Sequence, residues 1–158
     1  MSKLFLLSTD EVKKIPQDIL ACDNYWWLRS PGHDTGDAAD VANYGRVYRF
    51  GDSVDYSCAC VRPALRLTSD ISNLEHTKKG YIRFGHKPNG KPIKWINISE
   101  YVGFPCLLMK KPYEYHRFDA KLNVYEKSEI FKRLQELDDE FFTDEEKAVI
   151  KDFGGEEE

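Results

Sequence analysis

The sequence predicts an α+β fold: short, mostly antiparallel strands with the main helices gathered toward the C-terminal end. Three observations carry this. Turn signals recur about every 8–12 residues between Tyr25 and Leu67, the spacing of antiparallel strands. An Asn89-Gly90 pair sits between two apolar runs, the strongest short-range hairpin signal. After Tyr125 the apolar period changes, with Ile130, Phe131, Leu134 and Leu137 at i, i+1, i+4 and i+7.

The elements follow in order. Lys3–Leu7 reads as a buried strand entering a short helix, with Ser8 as N-cap and Glu11 placed for a capping box; Pro16 closes that segment. Tyr25–Arg29 is an aromatic strand broken by Ser30-Pro31-Gly32. Ala38–Ala42, a turn at Asn43-Tyr44-Gly45, the strand Arg46–Phe50, a second turn at Gly51-Asp52-Ser53, and the runs Val54–Cys60 and Val61–Leu67 complete the first half. Residues 68–80 are polar and read as a linker. Tyr81–Gly85 and Pro92–Ile98 form the hairpin, and Pro105–Met109 a third strand. Ser128 caps the amphipathic helix. Thr143, with Glu146 three residues on, opens a second whose apolar face is Ala148, Val149 and Phe153. Gly154-Gly155 ends it and leaves Glu156–Glu158 as an acidic tail.

The chain has 158 residues, 41% apolar and 32% charged. That is one domain's worth of globular sequence, able to build a core without staples. No apolar run reaches the roughly 18 residues of a membrane span. The N-terminal run is too short for a signal peptide, so a cytoplasmic location is expected, with reduced cysteines. The net charge of −4 is unevenly spread: residues 78–133 carry 13 Lys/Arg against 5 acids, and residues 134–158 carry 2 against 11. The basic middle contains no nucleic-acid motif and the acidic end can neutralise it, so direct nucleic-acid contact is not expected.

Two blocks carry a resemblance. Tyr25-Trp26-Trp27-Leu28-Arg29-Ser30-Pro31-Gly32 and Val61-Arg62-Pro63-Ala64-Leu65, with Ala38-Ala39-Asp40-Val41 and Gly45-Arg46-Val47 between them, resemble a bacterial and phage domain of unknown function (DUF6273). That domain is itself similar to the C-type-lectin-like fold of formylglycine-generating enzymes and of retroelement-diversified binding proteins. The match covers residues 3–67, and Cys60 departs from the usual glycine. Ile93-Lys94-Trp95-Ile96, Cys106-Leu107-Leu108, Tyr125–Leu134 and Phe142–Ile150 resemble that family's opening half but follow its closing half. The resemblance therefore implies a circular permutation: residues 1–67 as the family's C-terminal half, 81–153 as its N-terminal half, 154–158 as tail. The rival reading makes residues 78–158 an unrelated appended module.

Trp26, Trp27 and Leu28 read as core. Arg29, Arg62 and Pro63 read as scaffold: a buried arginine needs carbonyls or an acid, and proline fixes the bend after Arg62. Between the blocks the composition is that of a paratope. His33, Asp34, Asp37, Asn43, Tyr44, Arg46, Tyr48, Arg49, Asp52, Asp55 and Tyr56 supply rigid aromatic area, arginine and adaptable polar groups. Loops between short strands are also polar for purely structural reasons.

A non-catalytic module binding a protein through residues 33–57 is the leading function, with a glycan or small molecule as other ligands. The alternative is a phage-encoded, anti-CRISPR-like inhibitor of a host defence nuclease, acting by binding or by acidic mimicry from Glu136 to Glu158. A third reading is a cysteine/copper enzyme of formylglycine-generating type, using Cys58 and Cys60. At strand spacing those two thiols share a face, as a metal or redox pair or as small packing residues. No cofactor is implied. The histidines His33, His76, His86 and His116 show no metal-binding spacing, and the pairs Asp34/Asp37 and Asp52/Asp55 do not by themselves make a calcium cage.

Overall fold

The computed structural model describes residues 2–69 and 71–153. In chain order the elements are β1 (Leu4–Phe5), α1 (Thr9–Val12), α2 (Gln17–Leu20), β2 (Trp26–Pro31), β3 (Asp37–Val41), β4 (Val47–Ser53), β5 (Cys60–Val61), β6 (Ala64–Arg66), β7 (Glu75–His76), β8 (Ile82–His86), β9 (Pro92–Asn97), α3 (Ser99–Val102), β10 (Cys106–Met109), β11 (Glu114–Tyr115), α4 (Glu129–Phe141) and α5 (Asp144–Ala148). Single 3-10 turns lie at Ile71–Asn73 and Tyr125–Lys127. This is an α+β architecture. The strands form two sheets, one ordered β1-β6-β10-β9-β8-β7 and wholly antiparallel, the other ordered β11-β5-β2-β3-β4 with a single parallel pairing, β2 on β5.

The central strands are apolar on both faces, and their two-residue period sorts the side chains into two cores. Leu4, Leu6, Trp27, Leu65, Leu107 and Met109 enter one core with Ile130, Leu134 and Leu137 of α4. Phe5, Leu7, Trp26, Leu28, Ala64 and Leu108 enter the other, with Val12 of α1 and Leu20 of α2. Each large side chain fully buried this way contributes about 1.5–3 kcal/mol.

The local signals behave as physics requires. Ser8 and Glu11 close a capping box, as do Thr143 and Glu146, and the Ser128 hydroxyl accepts from the Phe131 amide. The hairpin turns over Lys87–Lys91, where Gly90 takes φ +85°.

Several expectations are corrected. Pro16 follows the end of α1 as expected, but it also opens a helix the sequence did not predict, α2, where its missing N–H costs nothing. The second predicted turn is strand instead, because β4 runs on to Ser53. Gly51 takes φ +77°, and a Cβ on it would meet the Ala38 carbonyl oxygen at 1.9 Å, so β4 passes a bulge that only glycine permits. Val54–Ala59 is turn and bend, not strand. The supposed linker contributes β7, paired to β8, and a buried Ile71. The helix α5 buries none of its own residues; Val149 is partly exposed, whereas Ile150 is buried and Phe153 stacks on Phe5 at 4.5 Å. The Gly154-Gly155 stop and the acidic tail lie outside the described residues. No helix among the described residues is long and apolar enough to cross a membrane.

The ends of the described chain meet. Ser2 and Phe153 exchange backbone hydrogen bonds, 2.8 Å from Phe153 N to Ser2 O and 3.3 Å in return. The Asp138 carboxylate on α4 holds the same strand start, accepting from the Lys3 amide at 2.8 Å, the Leu4 amide at 2.9 Å and the Ser2 hydroxyl at 3.2 Å. Burial pushes this carboxyl above its ordinary range, while the two amides pull it back. Removing the acceptor orphans two amides, each costing about 1–3 kcal/mol. Asp138→Ala is therefore expected to lower stability by about 3 kcal/mol in urea titration, and Ser2→Ala by about 1 kcal/mol; equal losses would mean that the amide contacts contribute nothing.

Candidate binding surface

Strand register in the five-stranded sheet builds the surface. Trp27 on β2 pairs with Asp40 on β3, and Asp40 pairs with Tyr48 on β4, so the three side chains leave one face, whose centre at Trp27 and Asp40 is buried and whose edge at Tyr48 is half-buried. Tyr25, two residues before Trp27, belongs to the same face, and its ring lies 6.0 Å from that of Tyr48. The Tyr44 hydroxyl approaches the Tyr48 hydroxyl to 2.5 Å, and the Arg46 guanidinium sits 5.8 Å from the Tyr48 ring centre. On β11 the Tyr115 hydroxyl donates to the Asn24 side chain at 3.0 Å. Between these lies an open groove of about 450 Å³, lined by Asn24, Tyr25, Asn43, Ser57, Cys58 and Tyr115.

The turn carrying Asn43 and Tyr44 is fixed from beneath. The Cys22 amide donates to the Asn43 carbonyl at 2.9 Å, and the Gln17 side-chain amide donates to the Tyr44 carbonyl at 3.1 Å. Gly45 takes φ +93°, and a Cβ there would lie 2.4 Å from the Gln17 carbonyl oxygen. The turn is thus docked on α2, an element the sequence did not reveal.

The residues singled out in the sequence fall in several places. Asn43, Tyr44, Arg46 and Tyr48 cluster as described. Tyr56 is exposed near them; burial first, then Cys58 and Asp52, push its hydroxyl upward. His33, Asp34 and Asp37 belong to the opposite end of the sheet. There the His33 ring meets Phe50 edge-on at 5.2 Å, and the Asn123 amide donates to the Asp34 and Asp37 carbonyls at 3.0 and 2.9 Å. Asp55 is clipped locally by the Ser53 hydroxyl at 2.6 Å. Arg49 is next to Tyr48 in sequence and so points the other way, toward α1: Lys13 first and Arg49 after it hold the Asp10 carboxyl below its usual value. The strand alternation already contained that split. Tyr25, Asn24, Tyr115 and Phe50 were missed as contributors, the first three because only long-range pairing assembles them.

Cys58 and Cys60 do not share a face. Cys58 lies in a turn, where strand alternation does not operate, and is exposed; Cys60 is buried in β5, where burial and the neighbouring Cys22 and Cys58 push its thiol up to about 11. Among the described residues no three His, Cys, Asp or Glu side chains are grouped to hold a metal ion.

The residue least expected is Asp40. It is wholly buried, and neither carboxylate oxygen has a hydrogen-bond partner among the described residues. Asp52 is its acidic neighbour, brought near by the Ala38–Asp52 pairing two residues along β3. Burial first, and then Asp52, push the Asp40 carboxyl up to about 9. Protonated, Asp40 gains a donor to share with Asp52. A charged residue inside Ala38-Ala39-Asp40-Val41-Ala42 was the one signal for it.

No family model, curated protein or solved structure matches this chain.

Because the folded protein holds the Asp40 proton from about pH 4 to about pH 9 and the unfolded chain does not, Asp40 makes stability fall as pH rises through that window. The slope is at most about 1.4 kcal/mol per pH unit. Asp40→Asn keeps a neutral donor, so its urea midpoint is expected to vary less with pH than that of the wild type and to exceed it at pH 8. Parallel pH profiles for the two proteins would show that Asp40 is ionised in the fold.

Proposed function

We propose that the chain is a non-catalytic binding module of C-type-lectin-like type, circularly permuted, that engages a protein partner through the tyrosine face of its five-stranded sheet. One observation carries the reading. Tyr25, Tyr44, Tyr48 and Tyr115, with Tyr56 beside them, converge from four segments onto one surface whose central turn is locked to α2. Rigid tyrosines with an arginine among them are the composition of binding hot spots, because they offer large contact area at small entropic cost. The surface continues along β4, the sheet's edge strand, where Phe50 is 74% exposed beside an open groove of about 670 Å³.

The permutation draws support from the pairing of Ser2 with Phe153, the proximity a permuted chain needs and one that domains commonly have. The two resembling blocks also sit at structurally decisive places: Arg29 and Arg62 are buried and engaged with backbone carbonyls.

For an inhibitor of a nucleic-acid enzyme, the same face is favoured over acidic mimicry because several of the acids are already occupied. Asp138 is buried against β1, Glu136 and Glu140 pair with Arg133, Asp139 pairs with Lys147, and Asp152 pairs with Lys3 at 2.9 Å. A mimic needs carboxylates free to meet a partner, and among the described acids of this segment that leaves the exposed Asp144 and Glu145.

The test compares tagged wild type with Tyr44→Ala/Arg46→Ala/Tyr48→Ala/Tyr56→Ala as baits in bacterial lysate, followed by titration of the captured protein with both. The variant is expected to bind at least about 100-fold more weakly, since hot-spot truncations cost 2 kcal/mol or more each. Cys58→Ser/Cys60→Ser is expected to bind like the wild type. Equal capture by the wild type and the tyrosine variant would remove this face as the interface.

A further inference from the structure

A second surface, unrelated to the tyrosine face, is built from lysines. Between Lys78 and Pro112 the chain carries eight Lys/Arg residues and a single acid, Glu100, a net charge of +7. The fold brings five of these lysines together. Lys87 and Lys91 come from the β8–β9 hairpin, Lys94 from the exposed side of β9, and Lys110 and Lys111 from the chain leaving β10. They rim a groove of about 230 Å³ floored by Ile93 and Met109. Backbone pairing fixes their spacing: the Lys110 amide donates to the Lys94 carbonyl at 3.0 Å, and the Lys87 amide to the Lys91 carbonyl at 2.9 Å.

Ion pairing distinguishes these lysines from seven of the other eighteen cations; the remainder, Lys14, Lys121 and Lys127 among them, make no ion pair among the described residues either. Lys3, Lys13, Arg29, Arg83, Arg117, Arg133 and Lys147 each contact a carboxylate. Among the described residues none of the five groove lysines does. Five like charges held close raise a local positive potential that a polyanion relieves. Lys110 and Lys111 also border an adjoining groove of about 200 Å³, but Asp18 and Asp23 line it too, so the basic surface ends there. Five lysines spread along one rim by three segments suit a backbone of repeated phosphates better than one compact anion. The aromatic ring beside them, Tyr81, is already covered by the Lys110 ammonium at 4.2 Å, which leaves no open platform for an unstacked base.

We infer that this lysine-rimmed groove is a sequence-independent contact for the phosphate backbone of duplex nucleic acid. It goes beyond the binding role proposed above and uses none of its residues.

The experiment is fluorescence anisotropy of a short random-sequence DNA duplex titrated with the full chain over a range of salt. Five neutralised phosphates give a slope of log K against log salt of about −4.5, and a loss on the order of 500-fold between about 50 and 200 mM salt. Lys91→Gln/Lys94→Gln/Lys111→Gln is expected to weaken binding and to flatten that slope by about 2.7. The control Lys14→Gln/Lys121→Gln/Lys127→Gln removes equal charge elsewhere and is expected to bind as the wild type. All three side chains in each variant are exposed, and matched thermal unfolding curves confirm intact folds. Absence of wild-type binding at low salt, equal losses in the two variants, tighter binding of a single strand, or binding only to phosphatidylserine vesicles would each overturn the inference. Loss of the protein partner in the tyrosine variant leaves it untouched, so the two readings fail separately.

Discussion

The fold depends on one buried guanidinium. Arg62 lies where the chain leaves the five-stranded sheet at Val61 and enters the six-stranded sheet at Ala64. It is 1% exposed and has no carboxylate partner among the described residues; its donors reach the carbonyls of Met109 at 2.8 Å, Lys110 at 3.0 Å, Leu20 at 3.1 Å and Ile19 at 3.2 Å, and its plane rests 4.9 Å from the Trp26 ring. Burial pushes it down to about 10, still charged at neutral pH. A buried charge is tolerable only when its hydrogen-bonding capacity is met, and here the C-terminal end of α2 and the exit of β10 meet it. The corner between sheets, the position of α2 and the path beyond β10 are thereby fixed by one side chain. Lysine, a point charge, cannot replace that fork.

Arg29 does the corresponding work at the other junction. It donates to the Leu6 carbonyl and to Glu11, each at 2.8 Å, and lies 4.8 Å from the Phe153 ring. Thus α1, the strand run from Leu4 to Leu7 and the last described aromatic converge on β2. Because α2 is held by Arg62 and in turn holds the Asn43–Gly45 turn through Gln17, the tyrosine face inherits its rigidity from the sheet corner. A surface ordered in advance loses little entropy on binding. The scaffold residues of the two sequence blocks and the exposed tyrosines between them are parts of one mechanical chain.

What the sequence disclosed follows interaction range. Capping boxes at Ser8 and Thr143, the Asn89-Gly90 hairpin and the apolar stripe of α4 are decided within a few residues, and all were readable. The strands β7 and β11 are two residues long and owe their existence to partners elsewhere in the chain, so no local period announced them. Gly51 was misread because a glycine before Asp52-Ser53 signals a turn as readily as a bulge; only the close approach of Ala38 distinguishes the two. Candidate binding residues were recognised by type but not by grouping. Tyr48 and Arg49 part because strands alternate, and Tyr25 and Tyr115 join because β2 and β11 flank β5.

Charge gives the sharpest contrast between composition and structure. Summed along the chain, the acidic segment after residue 133 offsets the basic segment before it, which suggests mutual neutralisation. In space most of the described acids of that segment are occupied close to home: Glu136 and Glu140 on Arg133, Asp139 on Lys147, Asp152 on Lys3, Asp138 on backbone amides and Glu146 on the Thr143 amide, with Asp144 and Glu145 left exposed. Arg133 also takes Glu114, so the basic segment gives up one of its arginines to these pairs and keeps the five groove lysines free of carboxylates among the described residues. Coulomb attraction between exposed charges fades over about 10 Å at ordinary salt. Which acids neutralise which bases is therefore settled by local pairing and not by the sum. The chain of modest net charge presents a cluster of lysines on one surface and an aromatic face with a single arginine on another.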